Sequence, residues 1–394
     1  MMFVRSMFFS LLVLSGSLLA DPQAKILEQF DKLKRQHLEG KGVLDASMAG
    51  LRPDAEDDQT KKLEQLIARV AEDDQLQTLF VPAGDYLIKG SIQLRPKVNL
   101  IGEGMGQTVF YRDNESGYLV GNKGIGSFGN AMIADLSLRN ARRTLLMGEV
   151  EDLIFGRVEI DGGIMRFKTS SNLLIVGCQF RHNQGKAGYA SSECSRVVIM
   201  HNRFHSIENG SINLSGHRNS IVAYNHITAD KLIDSGYAGI RLPNSARDNL
   251  VEHNVIENHG RGLFVLSYSS GNILRHNVVR GTTHQGVLVQ SPNNRIEYNL
   301  IVDAGLEAIR LTDAAGLGEN EKGNLNPRSI AKDNVVLNNR IEDTKKVKGN
   351  DAWGLYIGST GNEVSYNSVQ KRFGRKFMHF SKGNGNRLEG NLER

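Results

Sequence analysis

Three stretches of the chain are close copies of one phrase: NLVEHNVI at 249–256, NRIEYNLI at 294–301 and NEVSYNSV at 362–369. The phrase is Asn/Asp-x-(Val/Ile/Leu)-x-x-Asn-x-(Ile/Val). Its second asparagine recurs as Asn202, Asn225, Asn254, Asn277, Asn299, Asn339, Asn367 and Asn391. The usual step is roughly 22–29 residues, the length of one solenoid turn. The step from Asn299 to Asn339 is longer and must carry an insertion. A unit this short cannot close a core of its own, so it buries its apolar face by stacking on its neighbours.

Around each marked asparagine the apolar residues alternate, as in Ile221, Ala223 and Ile227, which is the period of a strand. The asparagine breaks the alternation and is expected to take the left-handed backbone of a tight bend. Stacked in register, these side chains can bond along the axis as an internal ladder. A glycine-rich strand follows in each unit: AGIRL at 238–242, RGLFVL at 261–266, QGVLVQ at 285–290, EAIRL at 307–311 and WGLYIG at 353–358. That gives three short strands and three bends per coil, with glycine where the backbone turns sharply. Upstream, Cys178, Val158 and Leu136 hold the ladder position, and about ten coils are expected from Asn130 onward. A β-propeller would repeat at roughly 40–50 residues and carry no single-residue ladder. The predicted fold is therefore all-β, a parallel β-helix solenoid with N-terminal capping helices.

Residues 1–20 read as an export signal: Arg5 is basic, Met7 to Leu14 are apolar, and cleavage after Ser17 or Ala20 fits. The apolar run is too short to span a membrane, and no later run is longer. A secreted or periplasmic location is expected. Residues 21–50 form an N-terminal helical segment, with Ile26, Leu27, Phe30, Leu33 and Leu38 at helical spacing; it is a cap, a docking helix or a dimer helix. Residues 51–129 hold a second helix, marked by Leu63, Leu66, Ile67 and Val70, and the first coils. Residues 130–394 are the β-helix proper. The sequence leaves the oligomeric state open.

Glycine at 42 and proline at 7 suit many sharp bends. The formal net charge is +5, or +4 without Arg5, and the pI is near 9.0. This favours polyanionic partners. The absence of a dense basic stripe with interleaved aromatics argues against nucleic acid. Cys178 and Cys194 fall at successive bends with a strand between them, beyond bridging reach. Two buried free thiols are expected.

Residues 51–104 resemble the N-terminal segment of the pectate-lyase-like right-handed β-helix superfamily. The similar elements are LRPDAEDDQTKKLEQLIARV, LFVPAGDYLI with its Pro-x-Gly-x-Tyr, and the LIGEGMG turn. The resemblance continues through the asparagine-marked coils and implies carbohydrate chemistry. The superfamily holds uronate lyases, alginate-type C5-epimerases, polygalacturonase-type hydrolases and non-catalytic surface proteins, so fold alone does not choose among them. This chain has neither the Asp-Pro-His motif of alginate epimerases nor the Asn-Thr-Asp, Gly-His-Gly and Arg-Ile-Lys motifs of polygalacturonases. EAIRL at 307–311 is loosely similar to a phrase of alginate-lyase-type β-helices.

The resemblance implies a polymer lying along the glycine-preceded strand. Alternation assigns that strand an outward column: Leu146, Arg166, Tyr189, Asn213, Arg241, Phe264, Leu288, Arg310, Tyr356 and His379. Arginine suits such a column because its planar fork holds a carboxylate and stays charged. Tyr189 is the expected acid/base centre, with Arg241 beside it and Lys231, His205 and His259 as candidate partners. Arg166, Asn213, Phe264, Arg310 and Tyr356 are expected to bind substrate. The rings at His201, His253, His276, Tyr224, Tyr298 and Tyr366, each just before a ladder asparagine, are expected to stack as a structural column. No cofactor is required; Glu208 and Asp234 are a weak option for calcium.

These residues point to an acidic, uronate-containing polysaccharide as the partner. The expected chemistry is β-elimination or C5 epimerisation. A glycoside hydrolase of the same fold would need two opposed carboxyl groups; the outward column contains none, so hydrolysis would depend on loop acids such as Glu208 and Asp234. A non-catalytic polysaccharide-binding or surface protein would bind without turnover.

Overall fold

The structure is a computed structural model. It describes residues 22–40, 42–112, 117–122, 128–139, 143–182, 187–314, 329–346, 351–381 and 385–394. The expected export signal at 1–20 and most of the insertion (315–328) lie outside the described residues. The chain divides into two compact units. The first comprises residues 1–184 and 194–203, and the second 185–193 and 204–394. Both are built of short parallel strands, and the coils number about 12 in all.

The first unit begins with the helix Pro22–Glu39. A strand at Val43–Asp45, inside the segment read as helical, pairs with Thr78–Val81. The N-terminal helix lies on the unit's own flank. Its buried Phe30 fills a notch at Gly156, where any Cβ would collide with the ring. Lys34 bonds Asp135 at 2.6 Å, and Arg157 joins Asp31 at 2.6 Å to Asp135 at 2.8 Å. The helix Thr60–Glu72 buries Leu63, Leu66, Ile67 and Val70, the stripe its sequence displays. Leu136 pairs with Val158 in register, and both are fully buried, as is Cys178. Cys178 and Cys194 are buried free thiols, and burial pushes Cys178 up to about 12. No helix of the described residues is long and apolar enough to cross a membrane.

The second unit repeats one coil. Its lumen is lined by aliphatic files, one of them Val251, Leu274, Ile296, Val336 and Val364, all fully buried. The asparagine ladder runs from Asn225 through Asn254, Asn277, Asn299, Asn339 and Asn367 to Asn391, with amide-to-amide bonds of 2.9–3.0 Å. Across the insertion Leu300 pairs with Arg340, so the long step leaves the register intact. The bend works differently from the expectation. The left-handed residue is the one before the asparagine: Tyr224, His253, His276, Tyr298, Asn338 and Tyr366 all have φ between 52° and 57°. That twist turns the asparagine amide inward onto the next coil and the preceding ring outward. Tyr224, His253, His276 and Tyr298 accordingly stack at 4.9, 5.0 and 5.2 Å.

A second ladder stands at another bend: Asn249, Asn272, Asn294, Asn334, Asn362 and Asn386. These are the first asparagines of the repeated phrase. Each follows a left-handed residue, such as Asp248, Gly271 or Asn293. Buried amides need partners, and two files of asparagine supply them without water.

Candidate functional site

Each glycine-preceded strand of the second unit places residues outward at two positions. The later position gives the register Asn213, Arg241, Phe264, Leu288, Arg310, Tyr356, His379. The earlier one carries Arg261, Gln285 and Trp353, each just before a glycine, and Glu307 and Lys376, which precede Ala308 and Phe377. Glycine separates the two because a side chain there would collide; a Cβ at Gly262 would meet Val279 and the Gly286 carbonyl at 2.5 Å.

Tyr189 does not belong to the outward column. It pairs with Ile212, while Ala190 pairs with Asn213. Its ring is fully buried, edge-on to His217 at 6.3 Å. Counting from Gly188 puts Tyr189 where Ile240 and Leu263 stand in later coils, on the lumen side. Its lumen neighbourhood is polar: the His217 ring is hydrogen-bonded to the hydroxyls of Ser191 and Ser220. That setting accepts a tyrosine that the strand alternation places at the surface.

Arg241 is the centre of what remains. Its guanidinium lies over the Tyr237 ring at 5.1 Å and the Phe264 ring at 5.7 Å. Its Nε is buried with no hydrogen-bond partner, and so is Oδ1 of the neighbouring Asn213. Among the described residues no carboxylate pairs with Arg241. Burial lowers its pKa, and only Tyr237 opposes the shift. Arg261 approaches Phe264 from the other side at 5.3 Å, bonds Gln285 at 2.8 Å and donates to the Gly236 carbonyl. Its pKa is also lowered, first by burial and then by Arg241 and Arg310. Phe264, expected to bind substrate, is buried, and so is its neighbour Leu288. Phe264 lies beneath two guanidinium groups and positions them rather than touching a sugar.

Beyond, Arg310 bonds Glu307 at 3.1 Å and covers the Tyr356 ring at 4.7 Å. Tyr356 stacks on His379 at 4.7 Å. The loop at 229–237 forms one side wall. With Ser206 and Glu208 it encloses a cavity of about 500 Å³ that brings Glu208, Lys231 and Asp234 together. Asp234 reaches His284 at 3.7 Å. His284 is lowered by burial and by Arg261 against the pull of Asp234. His205 stands apart, bonded to Thr228 and Asp230 at 3.2 Å each. His259 is buried, its pKa lowered to about 4, and its Nδ1 accepts from the Gly260 amide. It cannot meet a polymer directly. Arg166 is exposed on a strand of the first unit, paired with Leu146.

Glu208 and Asp234, the two carboxylates of the calcium option, line one cavity together with Lys231. Among the described residues no group of three or more His, Cys, Asp or Glu could hold a metal. Tyr237, Arg261 and His284 were not singled out from the sequence. Arg261 was legible, because it directly precedes the glycine of a strand already recognised. Tyr237 and His284 lie in variable loops with no repeating signal.

The comparisons agree with this architecture. A family model described as rhamnogalacturonase A/epimerase, pectate lyase-like, matches residues 45–225, and one for a right-handed β-helix region matches 222–326. The A-module of mannuronan C-5 epimerase AlgE6 from Azotobacter vinelandii is 17% identical over 89% of this chain and 99% of its own, with a TM-score of 0.69. An exopolygalacturonase of Thermotoga maritima is 12% identical over 80% and 93%, with a TM-score of 0.61. The surface protein and adhesin PfbA of Streptococcus pneumoniae is 12% identical over 89% and 98%, with a TM-score of 0.54. No curated protein matches significantly. The chain belongs to the pectate-lyase-like right-handed parallel β-helix superfamily. At these identities the structural likenesses establish the fold alone.

Proposed function

We propose that this chain is an exported enzyme that binds an acidic, uronate-containing polysaccharide on the Arg241 face and acts on it by β-elimination or C5 epimerisation. One observation carries the reading. Arg241 is a partly buried cation with an unpartnered Nε and no carboxylate beside it among the described residues. An uncompensated buried charge is costly, and a uronate carboxylate is the planar, bidentate anion that would complete it. The fold family and the basic charge support the same reading.

The chemistry follows from the charge. Removing the C5 proton throws negative charge onto the adjacent carboxylate, where Arg241, backed by Arg261, stabilises it. His284, with its pKa lowered, is neutral near pH 7 and free to accept that proton. Tyr237, in contact with Arg241, serves on the other side. In elimination the C4–O bond breaks, the C4=C5 double bond forms, and the leaving oxygen takes a proton from Tyr237. In epimerisation Tyr237 returns a proton to C5 from the opposite face. Hydrolysis would rest instead on the loop acids Glu208 and Asp234, which share their cavity with Lys231.

The test is incubation with alginate, pectate and glycosaminoglycans. Absorbance from unsaturated ends reads a lyase, and solvent-proton exchange at C5 reads an epimerase. Arg241→Ala is expected to lower kcat/KM by about 10²–10³. Binding without turnover across the panel would favour a surface protein; neither binding nor turnover would remove the proposal. Export is tested by N-terminal sequencing of the mature chain, expected to begin after Ser17 or Ala20.

A further inference from the structure

We infer that Asp234, on the wall loop, is the positioning residue of His284: its carboxylate holds the imidazole as the Nε2–H tautomer and leaves Nδ1 as the nitrogen that takes a proton. This rests on the reading of His284 as the base and adds what aims it.

The loop is built to hold this pair. Ile233 and Ser235, on either side of Asp234, are both tied down. The Ile233 amide donates to the Asn258 carbonyl at 3.0 Å, and the Ile233 carbonyl accepts from the Thr283 hydroxyl at 3.0 Å. The Ser235 hydroxyl donates to the Glu208 carbonyl at 3.2 Å. Thr283 directly precedes His284, whose own amide donates to the Gly260 carbonyl at 2.8 Å. A hydrogen bond between the residues just before each partner thus brings Asp234 Oδ1 to 3.7 Å from His284 Nε2. To make it, the loop leans across the coil of Asn258 to the coil beyond. The same turn holds Tyr237, whose amide donates to the Ser235 hydroxyl at 3.3 Å and whose ring lies under Arg241. One loop therefore sets the base and the opposing acid together.

The charges fit this role. Asp234 and Arg261 act on His284 in opposite senses. A neutral imidazole has one N–H, and the nitrogen that faces a carboxylate keeps it. Nδ1 then carries the lone pair. When Nδ1 takes the C5 proton the ring becomes a cation, and Asp234 stabilises that charge without itself being protonated. At 3.7 Å the contact is an ion pair that ring protonation strengthens. Asp234 is exposed, so solvent screens the attraction and its effect is modest.

The test is ¹⁵N NMR of the histidine side chains in the full chain, with His284→Gln identifying the His284 signals. The wild-type ring is expected as the Nε2–H tautomer. Asp234→Asn should lower its titration midpoint by about 0.5–1 on the pH scale and populate the Nδ1–H form. Arg261→Gln should move the midpoint the other way, and Asp234→Glu should keep the wild-type tautomer. Thr283→Val, which frees the loop, should give part of the Asp234→Asn change. An unchanged midpoint and tautomer in Asp234→Asn would overturn the inference, whatever the polymer. On a uronate polymer that is turned over, Asp234→Asn should lower kcat about tenfold, leave KM within about twofold, and shift the acidic limb of the pH–rate profile downward with the NMR midpoint. If the NMR changes appear but no such polymer is bound or turned over, the uronate reading falls and the pairing of Asp234 with His284 stands.

Discussion

Tyr189 and Tyr237 show how position within the coil separates lumen from groove. Tyr189 is fully buried, and Tyr237 is 40% exposed beside Arg241. Tyr237→Phe is therefore expected to lower kcat by about 10²–10⁴, the usual range for general acid–base groups, while Tyr189→Phe leaves turnover near wild type. Equal losses would remove Tyr237 from the chemistry. Arg375 makes the opposite point. It is completely buried and bonded to both oxygens of buried Asp343 at 2.9 Å and to the carbonyls of Ala304 and Leu306 at 2.6 Å. Those bonds tie the last coils to the strand Leu300–Ala304. Arg375→Ala strands a buried carboxylate and should cost about 3–5 kcal/mol in urea unfolding. A loss below about 1 kcal/mol would mean that Asp343 is reached by water.

The element that repeats is a bend as much as a strand. A left-handed ring residue followed by an inward asparagine sets the coil, and side-chain amides join successive bends. In Asn277 the Oδ1 accepts from the amide N–H and side chain of Asn254, and the Nδ2 donates to Val251 and Asn299. Asn277→Ala leaves several buried groups unpaired, and a cost of about 3 kcal/mol or more is expected by chemical denaturation. Asn391, at the end of the ladder, should lose distinctly less. Equal effects would show that the ladder adds nothing beyond local turn propensity. The stacked His and Tyr column was legible because its rings fall at a fixed place in the phrase. The second ladder was legible too, since Asn249, Asn294 and Asn362 open the phrase. Alternation alone puts Tyr189 one residue out of phase; counting from Gly188 gives the observed phase.

At the scale of the molecule, acid should unfold what neutral pH holds. His217 and His259 are buried, with pKa values lowered to about 3 and about 4. In the unfolded chain each titrates near 6.5. Between those limits the unfolded state binds more protons, so stability is complete above about pH 6.5 and falls on acidification. Together the two groups should cost on the order of 5 kcal/mol by pH 4.5. Thermal melts from pH 7.5 to 4.5 read this, and His217→Gln should flatten the slope. A melting temperature unchanged down to pH 4.5 would mean that these histidines are charged or solvated in the fold. The ligand face carries the reverse dependence on salt, since Arg241 and Arg261 attract a polyanion less strongly as ionic strength rises.

The period, the stacked bends, the second helix's apolar stripe and most of the outward column were determined by the sequence alone. They are properties of spacing, and a repeat prints its spacing into the chain many times over. The grouping of Arg241, Tyr237, Arg261 and His284 and the burial of Phe264 and His259 were decided only by tertiary structure. They depend on how single, unrepeated loops and side chains fold over neighbouring coils, and no period in the sequence records that.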